Sequence, residues 1–217
     1  MPVGLLNSNA ALIAELRRGG FLKNQRLAQA FKKIDRRDFV PVRQRPDAYR
    51  NIPLVIGSGQ TISQPLVVAL MLELIDPRPG EVILDVGSGS GWTTALLASL
   101  VGKRGKVLAI ERISELSKLT RENVSKYNFL KKGIVQIICA DGSRGAPLEI
   151  LPLDGFDKIL AGAASEKIPA AWKRQLKVSG RIVAPVGERI AVVVKKSPTE
   201  FKEREYFGFR FVPLVED

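Results

Sequence analysis

Three glycines alternate with serines in "LDVGSGSGW" (84–92), where Gly87-Ser88-Gly89-Ser90-Gly91 interrupts an apolar run. Glycines so spaced let the chain turn sharply and let a ligand lie against the backbone with no β-carbon between them. The residues before the run read as a buried strand and those after it as a helix, the setting of a nucleoside- or phosphate-binding turn. A dinucleotide fingerprint would place its third glycine at position 92, which is Trp92. Acidic residues recur at comparable places. Asp85 precedes the turn, and Glu111 ends "KVLAIE", 20 residues beyond Gly91, with Arg112 next to it. A carboxylate at the position of Glu111 can accept from both hydroxyls of a ribose. Asp141 in "CADGS" closes the next strand-like run, placed to face a purine ring, with Gly142 letting the backbone close over it. A second polar cluster lies upstream, where "GSGQTISQP" (57–65) carries Gln60, Thr61 and Ser63 ahead of Pro65. Taken singly, each feature has a plain structural explanation: a tight turn, a surface Glu111 paired with Arg112, a turn aspartate, a helix cap at Ser63.

The elements needed to position these groups follow from hydrophobic period and punctuation. "NAALIAELRR", capped by Asn7 or Ser8 and stopped by Gly19-Gly20, and "QRLAQAFKKI", capped by Asn24, predict two opening helices. Pro41, Pro46 and Pro53 make the following stretch irregular, and Pro65 suits the first turn of a helix over "QPLVVALMLELI". From Glu81 strands and helices alternate: "EVILDV", "WTTALLASLVG", "KVLAIE", "ISELSKLTRENVSKYN", "IVQIICA", "FDKILAGA", "EKIPAAWKRQLK" and "GRIVAPVG". Apolar strands alternating with helices predict an α/β fold, a doubly wound and mostly parallel sheet. "RIAVVVKKS" and "EREYFGFRFVPL" then predict a closing antiparallel hairpin. Residues 1–56 are expected to form a helical, basic extension packed on a catalytic domain over 57–217.

Composition removes several chemistries. The 217 residues contain no histidine, which excludes Ser-His-Asp and Cys-His catalysis and a histidine base or metal ligand. The one cysteine, Cys139, rules out an internal disulfide and sits within an apolar run, where a buried structural thiol is expected. No metal-ligand cluster is read. No signal-peptide order and no apolar run of membrane-spanning length are present, so a cytoplasmic protein is expected. The net charge is +12, of which +8 lies between Leu16 and Arg45, where ten basic residues, Arg36 and Arg37 among them, face only Asp35 and Asp38. Such a segment is either a solvated helical face or an attractor of nucleic acid or acidic chains.

An acidic residue ahead of a G-x-G-x-G turn is the pattern of S-adenosylmethionine-dependent methyltransferases of Rossmann-like fold. The cofactor, leaving as S-adenosylhomocysteine, is expected to touch Asp85, the turn from Gly87 through Ser88, Gly89 and Ser90 to Gly91, then Trp92, Glu111, Arg112, Asp141 and Gly142. The fourth strand lacks the Pro-Pro-aromatic motif of amino-methylating enzymes. No Pro-Cys nucleophile of the cytosine C5 type is found either. The full set "GQTISQP", "LDVGSGSGW", "AIERISEL", "ADGSRG", "QLKVSGRIVAPVG" and "FVPL" resembles, in order and over nearly the whole chain, the protein-L-isoaspartate O-methyltransferase family. The resemblance implies methyl transfer to the α-carboxylate of L-isoaspartyl residues in damaged proteins, which begins repair through a succinimide. It implies a sheet with an altered order of its last strands. It implies that Thr61, Ile62 and Ser63 hold the acceptor, with Ser63 orienting the carboxylate, and that Gln60 and Thr61 shape the loop and touch the cofactor where the loop closes beside the methyl donor. Val212 is implied near the substrate backbone. Leu66, Trp92, Asp85 and Gly162 depart from the residues common in the family, Gly162 standing where threonine is usual.

A carboxylate in water has a pKa of about 4 and is ionised at neutral pH, so its methylation needs alignment and exclusion of water and no general base. Two other readings use the same fold: an RNA methyltransferase exploiting the basic segment, and a non-catalytic protein that binds S-adenosylmethionine. The expected partners are isoaspartyl proteins and peptides, with nucleic acid less favoured, no membrane, and a monomeric state.

Overall fold

In the computed structural model, residues 8–215 are described. Asn7, one of the two expected caps, lies outside them. Ser8 takes the role, its hydroxyl accepting from the N–H of Ala11, and helix α1 (Asn9–Arg18) follows. Asn24 caps α2 (Gln25–Lys33) in the same way. The proline-rich stretch after it forms two short 3₁₀ turns, Arg36–Phe39 and Val42–Asp47. The hairpin β1 (Leu54–Gly57) and β2 (Gln60–Ile62) comes next, turning at Ser58 and Gly59, both at positive φ. Helix α3 (Pro65–Ile75) leaves the hairpin, with Pro65 in its first turn.

The central sheet then begins. Strands β3 (Val82–Val86), β4 (Lys106–Glu111) and β5 (Val135–Cys139) alternate with helices α4 (Trp92–Val101) and α5 (Ser114–Ser125). Strand β6 (Phe156–Ala161), helix α6 (Ala170–Gln175) and strand β7 (Leu176–Val186) follow, and β8 (Arg189–Lys195) and β9 (Phe201–Phe207) close the sheet. The seven strands lie in the order β5-β4-β3-β6-β7-β8-β9. Pairing is parallel from β5 to β7 and antiparallel for β7–β8 and β8–β9. The chain therefore reverses direction across the sheet between β3 and β6, the switch point at which open α/β sheets bind ligands. The last strands succeed one another in chain order.

One apolar core lies between the sheet and helices α1 to α5, uniting Leu12, Leu16, Leu27 and Phe31 of the opening helices with Leu72, Trp92 and Leu96. A smaller core on the other face centres on Trp172 and Phe156. Tyr127, just past α5, ties the opening segment to the sheet layer: its hydroxyl donates to Asp38 at 2.6 Å and accepts from the N–H of Asp35 at 3.0 Å. On β9 side chains alternate between the faces, Lys202 and Arg204 opposite Val194 and Val192, Glu203 and Glu205 opposite Val193 and Ala191.

Four expectations need correction. The helix read over "EKIPAAWKRQLK" is only Ala170–Gln175, because Pro169 fixes its start and Leu176 is drawn into β7 opposite Phe156. The last strand stops at Phe207, where Gly208 at φ +91 turns the chain back toward the sheet's carboxyl edge. Cys139 is exposed, since β5 is an edge strand and the residue ends it. Arg36, counted with the basic surface run, is buried with 0% exposure. Among the described residues no helix is long and apolar enough to cross a membrane.

Candidate active site

The glycine turn leaves β3 at the switch point, with Gly87, Gly89 and Gly91 all at positive φ, where a side chain would be strained. It is held from two sides. From β4, the carbonyl of Ile110 accepts from the N–H groups of Gly87 (2.8 Å) and Ser88 (3.2 Å). From α5, Thr120 donates to the carbonyl of Gly89 at 2.9 Å and shares a 3.0 Å bond with the Ser88 hydroxyl. Asn123 donates to the carbonyl of Ser90 at 2.9 Å. Gly91 packs directly on this helix: a β-carbon there would lie 3.1 Å from the methyls of both Thr120 and Val124.

Glu111, 6% exposed, joins the turn to the start of α5. One carboxylate oxygen accepts from the N–H of Gly89 at 2.8 Å and the other from Ile113 at 3.0 Å. Each oxygen keeps a further lone pair, the capacity a ribose diol requires.

An open cleft extends along these groups. Its walls include Gly87 to Ser90, Trp92, Glu111, Arg112, Gly142, Gln60 to Ser63 and Val212. The structure thus brings together most of the residues expected at the cofactor with all of those expected at the acceptor. Gly142 is held there by close backbone approach, since a β-carbon on it would meet Val86 at 2.5 Å. Trp172 fixes the same loop by donating to the carbonyl of Gly142 at 2.8 Å.

Three expected residues do not line the cleft. Gly91 lies beneath the turn, against α5. Asp141 caps a 3₁₀ turn, accepting from the backbone N–H and the hydroxyl of Ser143, both at 2.8 Å. Asp85, 1% exposed, accepts from Thr94 at 2.6 Å. Burial pushes its pKa up to about 7; the Thr94 bond opposes that shift and the charge of Glu111 adds to it. It faces a small inner cavity shared with Ser63, Gly87, Thr93 and Gly162.

The stretch "GSGQTISQP" is the β1–β2 hairpin and its exit, and this is why it carries so many small polar groups. Ser63 does not cap α3. That position is Gln64, with no side-chain bond, so the Ser63 hydroxyl is left to the cleft. On the opposite wall the chain end returns beside β6: Ala164 donates to the carbonyl of Val212 at 2.8 Å, and Leu214 to that of Ala164 at 2.7 Å. A second, outer groove, lined by Pro53, Gln64, Val67 and Phe211, meets the cleft at Thr61, Ser63, Gly162 and Val212. Sequence reasoning missed Thr120, Asn123 and Trp172. The signal for the first two was present, since Leu116, Thr120, Asn123 and Val124 share the buried helical stripe and two of the four are polar.

A glycine turn at the switch point, a carboxylate on the next strand bridging turn and helix, and Trp92 where a dinucleotide fingerprint has its third glycine together fit an S-adenosylmethionine-dependent methyltransferase of Rossmann-like fold. The cleft suits that cofactor on its own geometry: backbone without side chains at Gly87 and Gly89, spare acceptors on Glu111, and apolar walls from Ile113 and Leu116. Known proteins agree. The structure of a putative protein-L-isoaspartate O-methyltransferase from Plasmodium falciparum, in complex with S-adenosyl-L-homocysteine, superposes with a TM-score of 0.88 at 27% identity, covering 97% of this chain and 100% of that one. The protein-L-isoaspartate O-methyltransferase of Aeropyrum pernix is 41% identical over 208 residues, 94% of this chain and 78% of the relative. That of Methanopyrus kandleri is 40% identical over 208 residues, 94% and 89% of the two chains. Residues 7–217 match the family model for protein-L-isoaspartate(D-aspartate) O-methyltransferase, and the chain belongs to that family.

Proposed function

We infer that this protein transfers a methyl group from S-adenosylmethionine to the free α-carboxylate of L-isoaspartyl residues in damaged proteins, initiating their repair through a succinimide. The observation that carries the acceptor side is the junction of two spaces: the donor cleft and the outer groove share Thr61, Ser63, Gly162 and Val212. An isoaspartyl residue lying in the groove would bring its extra carboxylate to that junction.

Bound S-adenosylmethionine supplies an electrophilic methyl on a sulfonium centre. The chain's own groups then have three tasks. The backbone from Gly87 to Ser90, with Glu111, Arg112, Trp92 and Gly142, holds the donor. Asp141 acts at one remove, by fixing the loop that carries Gly142, and Asp85 lies behind the turn. The Ser63 hydroxyl donates to the acceptor carboxylate and sets its approach, with Thr61 and Ile62 beside it and Val212 against the peptide backbone. The β1–β2 hairpin and the returning chain end wall the junction on either side. No proton has to be removed, because the acceptor is already a carboxylate. The same site then works without histidine. We assign the activity to isoaspartyl proteins and peptides, in a monomeric enzyme.

The test is methyl transfer from labelled S-adenosylmethionine to two peptides that differ only in one isoaspartyl or normal aspartyl linkage. Base-labile label on the isoaspartyl peptide alone is expected. Label on neither, with S-adenosylhomocysteine still bound, would overturn the acceptor assignment and leave the donor site standing.

A further inference from the structure

Arg36 is the largest charged side chain buried in the molecule, and none of the roles above uses it. It opens the first 3₁₀ turn after α2 and is 0% exposed. All four of its terminal N–H groups go to backbone carbonyls. Nη1 donates to Ala48 at 2.8 Å and Arg50 at 3.2 Å; Nη2 donates to Ile52 at 2.9 Å and Ser63 at 3.1 Å. Among the described residues no carboxylate pairs with it, and Nε finds no partner. Burial pushes its pKa down to about 9, so it stays a cation at neutral pH. A buried cation without a counter-ion is costly, and here the cost is offset by the four carbonyls it satisfies, which an apolar side chain of similar volume would leave unpaired. Joining these carbonyls is a task that an apolar group cannot perform.

The places of its partners indicate that task. Ile52 lies just before β1 and Ser63 just after β2, so the two bonds of Nη2 close the open base of the hairpin. The guanidinium carbon also lies 5.4 Å from the ring of Trp92, the first residue of α4 and the neighbour of Gly91. That ring is fixed in turn, edge-on to Phe31 at 5.5 Å. One side chain therefore touches both the loop carrying Ser63 and the helix that begins at the glycine turn.

We propose that Arg36 is a positioning residue for methyl transfer, setting Ser63 through its carbonyl at a fixed place relative to the glycine turn. The proposal rests on the reading of the Ser63 loop as the acceptor site. A planar fork with two donors on one nitrogen suits this role, because it holds two carbonyls from separate segments in one plane. A lysine would keep the charge and lose the fork. Displacing a reacting group by about 1 Å is enough to cost roughly 100-fold in rate, so a loose hairpin base would be felt in turnover before it is felt in cofactor binding.

The test compares Arg36→Lys, Arg36→Met and Ser63→Ala in the full chain, well below each variant's unfolding midpoint. Three quantities are read: affinity for S-adenosylhomocysteine, KM for an isoaspartyl peptide, and kcat. For Arg36→Met, cofactor affinity is expected to stay within about 3-fold while kcat falls roughly 10- to 100-fold, and Arg36→Lys should recover part of the loss. A purely structural residue would lower the unfolding midpoint and leave kcat of the folded protein unchanged, and that result would overturn the proposal. Failure of both Arg36 variants to fold would also overturn it, assigning the residue to the fold alone. Ser63→Ala separates the two ideas. Unchanged kcat there removes the acceptor-loop reading itself, whereas a slow Ser63→Ala beside normal Arg36 variants removes only the role of Arg36.

Discussion

The backbone of Gly162 lies so close to the carbonyl of Gly87 that a β-carbon on Gly162 would stand 2.9 Å from that oxygen. Donor cleft, outer groove and inner cavity all meet at this residue. Because the opposing atom is backbone, it gives way only if the glycine turn itself shifts. Gly162→Thr is expected to weaken S-adenosylhomocysteine binding several-fold and to lower stability by about 1–3 kcal/mol, the usual range for overpacking. Calorimetric titration and thermal unfolding read both. Unchanged affinity would mean that the turn adjusts freely.

Ser63→Ala removes a hydroxyl that caps nothing. Its loss should leave the unfolding midpoint nearly unchanged and cofactor affinity intact. A hydrogen bond to a charged group contributes about 1.5–3 kcal/mol, so kcat/KM on an isoaspartyl peptide should fall roughly 10- to 100-fold. A drop in stability with normal turnover would return Ser63 to a structural role.

Asn123 reaches the glycine turn from a neighbouring helix, through its 2.9 Å bond to the carbonyl of Ser90. Asn123→Ala leaves that buried carbonyl without its partner and is expected to cost about 1–3 kcal/mol. Part of the loss should be regained on saturation with S-adenosylhomocysteine, since a ligand that binds only the folded form stabilises it. Unfolding midpoints with and without the ligand test this.

Asp85 predicts a pH signature. Its pKa of about 7 in the folded chain lies above the ordinary aspartate value of 3.8, so between these limits the folded state binds more protons than the unfolded one. Stability from this group is therefore full below the unfolded value and is lost as pH rises through about 7. Asp85→Asn stays neutral throughout. Its stability relative to the parent should rise as pH goes from mildly acid to neutral, in protein free of cofactor. A difference between the two curves that does not vary with pH would refute the buried-acid assignment.

Much of this architecture could be read from the chain. Strands such as "EVILDV" and "KVLAIE" are continuous apolar runs, and their glycine and acidic ends mark the carboxyl edge where the cleft lies. What could not be read depended on partners far away in sequence. The strand Gln60–Ile62 has three residues, too few for any period to show, and exists because Leu54 to Gly57 pair with it. Arg36 and Arg37 are adjacent and chemically alike, and only the carbonyls at 48, 50, 52 and 63 decide that the first turns inward. Asp141 lies two residues beyond the end of β5, and its side chain folds back onto Ser143, a local competition that spacing does not reveal.

The alternation along β9 governs how this molecule meets its own copies. An uncovered edge strand is a template on which an identical strand can add, growing a sheet from one molecule to the next. Two copies joined antiparallel about a two-fold axis set residues of the same face opposite one another. One face of β9 carries Lys202 and Arg204 and the other Glu203 and Glu205. Wherever the axis falls within that run, like charge meets like charge on at least one face, which disfavours the pairing. The β9 edge of the sheet is thus guarded by its own charges, and growth of the sheet from one molecule to the next is opposed there.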